Sequence, residues 1–535
     1  MHSNRKKTEH LLSIRKAPEL LEALRGISVD DLGDVPWAVR DYYLGELRAR
    51  DRINQLKLFG PSESPVVNEN LTLMSHQQLG REIAKIRDRF CFFFDTRTGK
   101  TPLSLSIISD DIQENPEHKW LVICPLILIQ NAWMEDAAKF VPELKTVNCH
   151  ASTKAKRLKA INSEANIYIT NTESFATYKE HFDKLGFHGC IVDESSDMKS
   201  YKSNQSKAIV EFAQTVERMY LLSGSPAPNG EWEYYMQLKA IDLYSVPASW
   251  TQFKEHFFVD VSFSQYEQLQ LRVDRKEEFD KLLQDYAIYV DKEDVLTLPG
   301  REFIEVRFKL PDKLLEHYRT LKNELYVELS DEKKLTAPSS AAKLNKLNQL
   351  TSGFIIDTQA VKENEFYDDN LPEWYFIDDY RFQRLRDLLD SDSLRGEQVL
   401  IWANYRKEFE VIQSILGERC RCVYGGTTIA EKNEAIRLFK SRQIQYLVAN
   451  PASADKGLTL TNCHICIYFS LNWSYELYKQ SMDRIYADIS KQPKKCFYYI
   501  FIAEHTIDHV LYHDVLQNKG EASLAILNHL KPGGT

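Results

Sequence analysis

The chain has no apolar run approaching the roughly 20 residues that cross a bilayer, which excludes a bundle of membrane-spanning helices. Its opening stretch, MHSNRKKTEHLLSIRK, carries charge but neither an apolar core nor a small-residue cleavage site, so no secretory signal is read there. Internal repeats are missing as well. So is a basic excess: 68 Lys+Arg against 77 Asp+Glu give a formal charge of −9. That excludes a generally basic nucleic-acid coat and leaves room only for a local basic groove. Cysteine is sparse, nine in 535 residues, and sits in apolar runs such as RFCFFF, LVICP and GCIVDE. Buried thiols of a reducing, cytoplasmic compartment fit that pattern better than disulfides. Cys420 and Cys422, followed by Cys463 and Cys466, have the paired look of a zinc site. The second pair, however, lies in NCHICIYFS, which reads as a buried strand.

At 535 residues the chain is too long for one ordinary core. Short runs rich in β-branched and aromatic residues recur, each followed by a polar or helical stretch. RFCFFF, KWLVICP, ANIYITN, GCIVDE and RMYLLSG form one set; QVLIWAN, IQYLVAN, HICIYFS and KCFYYIFIA form another. Runs this uniformly apolar suit strands covered on both faces, alternating with helices in parallel sheets. The spacing predicts two α/β lobes, at about 73–245 and 375–515. Residues 250–350, including KEEFDKLLQDYAIYV, read as a helical insertion, and residues 1–60 as an amphipathic helical arm. The acidic, aliphatic-poor stretch 357–374 reads as a surface connection.

Two motifs in the first lobe carry chemistry. FFFDTRTGKT joins a predicted strand to a predicted helix, the context of a phosphate-binding loop. Backbone N–H groups of Thr98 and Gly99 and the helix start would surround phosphates, Lys100 would reach the β/γ-phosphates, and Thr101 would hold Mg²⁺. The glycine usual at position 94 is a phenylalanine, and Arg97 stands where an inner glycine is usual. If position 97 requires a positive φ, an arginine there is strained; otherwise it keeps ordinary dihedrals. About 90 residues on, CIVDESSDMK ends another buried strand with adjacent acids. Asp193 suits a magnesium ligand and Glu194 suits polarisation of the attacking water.

With these motifs in this order, residues 70–515 resemble helicase superfamily two, most closely its Swi/Snf-type branch of DNA-dependent ATPases. LTLMSHQQLG is similar to the adenine-recognition segment, which puts Gln77 against the base. VICPLILIQNAWMEDAAKF, with Pro125 and Trp133, is similar to the segment after the second strand. IYITNTESF resembles a DNA-contacting stretch, implying such a role for Thr170 and Asn171, and LLSGSPAPNG the coupling motif, here Ser223, Gly224 and Ser225. YAIYVDKEDVLTLPGR resembles the pre-linker segment of this branch. In the second lobe, VANPASADKGLTLTNCHICIYFSLNW resembles the motif coupling nucleotide state to DNA, with Asp455 and Gly457 at its centre. YKQSMDRIYADIS is similar to the final motif: Gln480 and Arg484 match, but the place of its second arginine holds Ala487.

The resemblance implies two RecA-like parallel-sheet lobes, ATP and Mg²⁺ in the cleft between them, and hydrolysis that drives translocation on duplex or branched DNA. The length implies a compact bacterial or phage version acting in the bacterial or host cytoplasm. A local DNA track is expected along Lys154, Lys156, Arg157 and Lys159, along Lys199, Lys202 and Lys207, and at Lys343 and Lys346. Three readings of Ala487 stay open: Arg97 or Arg484 supplies the missing charge, the enzyme is slow, or the alanine is engineered. Two rival functions also stand, an RNA-dependent helicase of the same fold and a nucleic-acid-binding regulator that hydrolyses little.

Overall fold

The structure, a computed structural model, describes residues 37–242, 246–261, 269–324, 326–330, 333–336, 340–357, 373–454, 458–519 and 531. The chain divides into two compact units, Met1–Leu296 with Glu521–Thr535, and Thr297–Gly520.

The first unit is built on seven strands: β1 Arg89–Phe94, β2 Trp120–Ile123, β3 Thr146–Asn148, β4 Ile167–Thr170, β5 Gly189–Asp193, β6 Arg218–Leu222 and β7 Ala287–Val290. Their order across the sheet is β7-β1-β6-β5-β2-β4-β3, and every pairing is parallel. RFCFFF shows why the run is apolar throughout. Successive side chains of a strand point to opposite faces. Phe90, Phe92 and Phe94 enter one core with Ile83, Leu103 and Trp133, while Cys91 and Phe93 enter the other with Phe175, Phe212 and Tyr234. Each fully buried phenylalanine contributes roughly 1.5–3 kcal/mol. A polar residue anywhere in Phe90–Phe94 would therefore cost stability on one face or the other.

The second unit repeats the scheme with β8 Arg301–Phe308, β9 Val399–Trp402, β10 Cys420–Val423, β11 Tyr446–Ala449, β12 Ile465–Tyr468 and β13 Cys496–Ala503. Its all-parallel order is β8-β13-β12-β9-β11-β10. A fully buried ion pair, Arg381 to Asp508 at 2.7 Å, ties helix Tyr380–Asp390 to the turn after β13. The hydroxyl of Thr351 also donates to Asp508, at 3.0 Å.

Nine strands fall where the apolar runs predict them; β3, β7, β8 and β10 do not follow from such runs. The helical reading of 250–350 requires correction. KEEFDKLLQDY is a helix, Lys276–Tyr286, but AIYV turns at once into β7 and adds the edge strand of the first sheet. Phe253, Phe279 and Leu283 pack into the first unit's core, whereas Leu314, Leu347 and Leu350 pack into the second's. The stretch is thus shared between the units at Leu296/Thr297. Of the expected arm, helix Trp37–Phe59 is described and residues 1–36 lie outside the described residues, as does nearly all of the 357–374 connection. Zinc at the four cysteines is excluded by strand order. β11 and β9 separate Cys420 and Cys422 from Cys466, roughly 14 Å at the ordinary strand spacing. Among the described residues no helix is long and apolar enough to cross a membrane.

Candidate active site

Parallel strands deliver their following loops to one edge of the sheet, where α/β proteins bind ligands. The loops after β1, β6 and β5 come from three adjacent strands, and those after β2 and β4 from the next two.

The loop after β1 runs Asp95–Gly99 into helix Lys100–Glu114. Gly99 has φ 79°, where a side chain is strained, and a Cβ there would sit 2.0 Å from Nε2 of Gln77 and displace that amide. Arg97 has φ 66°. Position 97 does require the left-handed region, which costs a non-glycine residue about 1–2 kcal/mol. The strained reading of Arg97 is the observed one. The loop is held by its own side chains: Thr98 Oγ1 donates to the Asp95 carbonyl at 2.7 Å, and Lys100 Nζ to the Phe94 carbonyl at 3.1 Å. Gln77 caps helix Ser75–Ile86 by accepting from Met74 N, and donates through Nε2 to the Thr98 carbonyl at 3.0 Å. His76, which the sequence did not single out, donates through Nε2 to the same carbonyl at 2.6 Å. Burial pushes its imidazole below the ordinary pKa against that hydrogen bond, so a neutral Nε2–H ring braces the loop.

After β5, the carboxylate of Asp193 is fixed from two sides. Trp133 Nε1 donates to Oδ2 at 3.0 Å, and the Glu194 backbone N–H donates to Oδ1 at 3.0 Å. Glu194 itself has φ 55° and ψ 54°, a second strained non-glycine residue at this edge. Thr101 and Asp193 offer hydroxyl and carboxylate oxygens, the donor type a hard divalent cation such as Mg²⁺ takes.

After β6, a Cβ on Gly224 would lie 3.3 Å from Thr96 N and 3.5 Å from the Asp95 carbonyl carbon. The Ser223–Ser225 loop therefore lies directly against the Asp95–Gly99 loop. Ser223 Oγ accepts from the Ser225 N–H at 3.1 Å, and both serines are buried.

The residues expected on the DNA track divide. Thr170 is fully buried at the end of β4, and Asn171, 9% exposed, lies 3.2 Å from His150 Nδ1 through its side-chain oxygen. Their side chains offer little surface to a duplex. Lys199, Lys202, Lys207, Lys154, Lys156 and Lys159 are exposed. Lys346 is buried, and Lys343 donates to the Lys322 carbonyl. In the second unit Gln480 donates to Glu476 at 3.3 Å, and buried Arg484 donates to the Leu458 carbonyl at 3.3 Å. Asp455 and Gly457 lie outside the described residues.

One further cluster has metal-ligand composition. Donor atoms of Asp111, His118 and His188 lie within 4.8 Å of one another. Asp111 already accepts from the Trp120 indole at 2.7 Å and faces the Arg218 guanidinium at 3.7 Å. The two imidazoles are stacked at 3.7 Å, so their lone pairs run side by side rather than converging. The group is a hydrogen-bonded brace, with a cation already beside it.

Residues 84–358 match the SNF2-related domain and residues 380–487 the helicase conserved C-terminal domain. The chain is 24% identical over 430 residues to protein p41 of Acyrthosiphon pisum secondary endosymbiont phage 1, covering 77% of this chain and 89% of that protein. It is 25% identical over 475 residues to the DNA annealing helicase and endonuclease ZRANB3 of Bos taurus, covering 86% of this chain but 41% of that protein's length. A Sulfolobus solfataricus SWI2/SNF2 ATPase core in complex with dsDNA aligns at TM-score 0.41 and 19% identity, over 88% of this chain and 98% of that one.

Proposed function

Because the chain belongs to the SNF2-related family, we propose that it is an ATP-driven translocase on duplex or branched DNA. The observation that carries the reading is the single sheet edge where Lys100, Thr101, Asp193, Glu194 and the Ser223–Ser225 loop are gathered by adjacent parallel strands. In this reading the Thr98–Lys100 backbone and the helix start cradle the phosphates, and Lys100 leaves its carbonyl partners for the β/γ-phosphates. Thr101 and Asp193 hold Mg²⁺, which neutralises charge on the transferring phosphoryl group when bound. Glu194 orients and polarises the water. Gln77 reads the adenine side of the site. Gly224, against the phosphate-loop backbone, lets the loop after β6 sense the nucleotide. Gln480, Arg484, Asp455 and Gly457 are assigned to nucleotide handling by the motifs they stand in. The exposed lysines at 199, 202 and 207 supply phosphate contacts, with Thr170 and Asn171 shaping the loop beneath the DNA.

The test is steady-state ATP hydrolysis with single-stranded, duplex, forked and four-way DNA and with RNA duplex. Stimulation by DNA, greatest with duplex or branched forms and weakened by salt, is expected. Stimulation by RNA alone would transfer the reading to an RNA-dependent helicase. Turnover indifferent to every nucleic acid would leave a regulatory module.

A further inference from the structure

Gln237 lies on helix Tyr234–Ile241 and is 0% exposed, among Tyr234, Met236 and Leu238 of the first unit's core. A side-chain amide in such surroundings is costly unless its polar atoms are paired. Here they are paired with two particular loops. Oε1 accepts from Ser195 Oγ at 2.8 Å, and Nε2 donates to the Pro226 carbonyl at 2.7 Å and the Glu233 carbonyl at 3.3 Å. Ser195 follows Glu194 directly, and Pro226 follows Ser225. One side chain therefore joins the first residue past the acidic pair to the first residue past the Ser223–Ser225 loop.

The surroundings explain what that junction does. Glu194 is held at φ 55°, a conformation that persists only where neighbouring structure over-determines it. Ser195 and Ser196 are buried at its flank. The Ser195–Gln237 bond anchors the chain immediately after the strained residue, and with it the direction of the Glu194 carboxylate. On the other side, the Pro226 carbonyl anchors the loop whose Gly224 touches the phosphate loop. Packing alone does not call for an amide at 237, since leucine would fill similar volume in the same apolar layer without needing partners.

We propose that Gln237 is a positioning residue for hydrolysis: it locks the turn carrying Glu194 to the loop after β6, so that movement of either is felt by the other. This rests on the ATPase reading above. Gln237 reaches no nucleotide itself, so its loss acts on turnover and leaves nucleotide affinity alone.

The experiment compares the full chain with Gln237→Leu, Ser195→Ala and the double variant. It reads the Kd of a fluorescent ATP analogue, kcat and KM with saturating duplex DNA, and hydrogen–deuterium exchange over 193–198 and 223–230. Expected are a Kd and KM within twofold of the parent and a kcat at least tenfold lower in each single variant. The double variant should be no more than about threefold below the worse single, because both changes break one junction. Gln237→Leu should quicken exchange in both segments together. A kcat within twofold of the parent, losses that multiply in the double variant, or loss of nucleotide affinity in step with kcat overturns the proposal. Should Gln237→Leu fail to fold, Ser195→Ala alone decides by the same kcat criterion. A parent without DNA-stimulated turnover defeats the ATPase reading instead. The exchange data then still judge the junction, and quickening confined to one segment contradicts it.

Discussion

Trp133 Nε1 donates a hydrogen bond of 3.0 Å to Oδ2 of Asp193, and both residues are buried. The indole comes from a π-helical turn, Ile129–Met134, in the segment after β2; such widened turns are found often at functional sites. With the other carboxylate oxygen on the Glu194 N–H, Asp193 is oriented before any cation arrives.

Trp133→Phe removes the donor and keeps a ring. A hydrogen bond to a charged group is worth roughly 1.5–3 kcal/mol, so half-maximal turnover should require roughly tenfold to a hundredfold more Mg²⁺. A magnesium titration of the ATPase rate checks this, and an unchanged curve would show that Asp193 needs no such orientation.

Arg97 sits in a backbone conformation that glycine adopts at no steric cost. Arg97→Gly should therefore raise stability by about 1 kcal/mol, read as a higher thermal midpoint. On the reading that Arg97 supplies the charge missing at position 487, DNA-stimulated turnover should fall at least tenfold. A glycine variant as fast as the parent would assign Arg97 no part in the chemistry.

Ala487 occupies the place of the family's second arginine and is 2% exposed. Overfilling such a position costs about 1–3 kcal/mol, and a buried unpaired charge costs more. Ala487→Arg is expected to lower the thermal midpoint without raising turnover. A gain in DNA-stimulated rate would instead show that the chain lacks a cation there that hydrolysis can use.

The sheets were legible because both faces of each central strand are covered, so RFCFFF and GCIVDE are unbroken apolar runs. Edge strands gave weaker signals. β3 is the three-residue TVN, and AIYV of β7 follows a helix so closely that its pattern merges with the helical one. The loop at Asp95–Gly99 and the acidic pair at the end of β5 could be placed because each directly follows an unbroken apolar run. His76 and Gln237 could not be, since each acts through a hydrogen bond to a loop distant in sequence, and neither spacing nor composition marks such a contact. Thr170 and Asn171 carry a motif's letters, yet both are buried and present little side-chain surface.

His188 gives a pH test of the first unit. Its ring is stacked on His118 and faces Asp111, Glu217 and Arg218. Burial, helped by His118 and Arg218 and opposed by Asp111 and Glu217, holds its pKa below the ordinary 6.5. The unfolded chain therefore takes up a proton that the folded one resists. The stabilising contribution is complete above pH 6.5 and is lost as pH falls through the lowered folded value; neutral His76 acts in the same sense. The thermal midpoint should drop between pH 7 and pH 5.5, less steeply in His188→Gln. A parallel drop in both proteins would place the responsible protons elsewhere.

Displacement of a third strand from a duplex track tests translocation most directly, run with the parent and with Glu194→Gln. The amide keeps the shape of the side chain but cannot polarise water, so the variant should bind ATP and DNA normally. The account predicts ATP-dependent displacement by the parent, and none by Glu194→Gln or with a non-hydrolysable nucleotide. Displacement by Glu194→Gln at the parent's rate, or none by a parent that hydrolyses ATP on the same duplex, would contradict it.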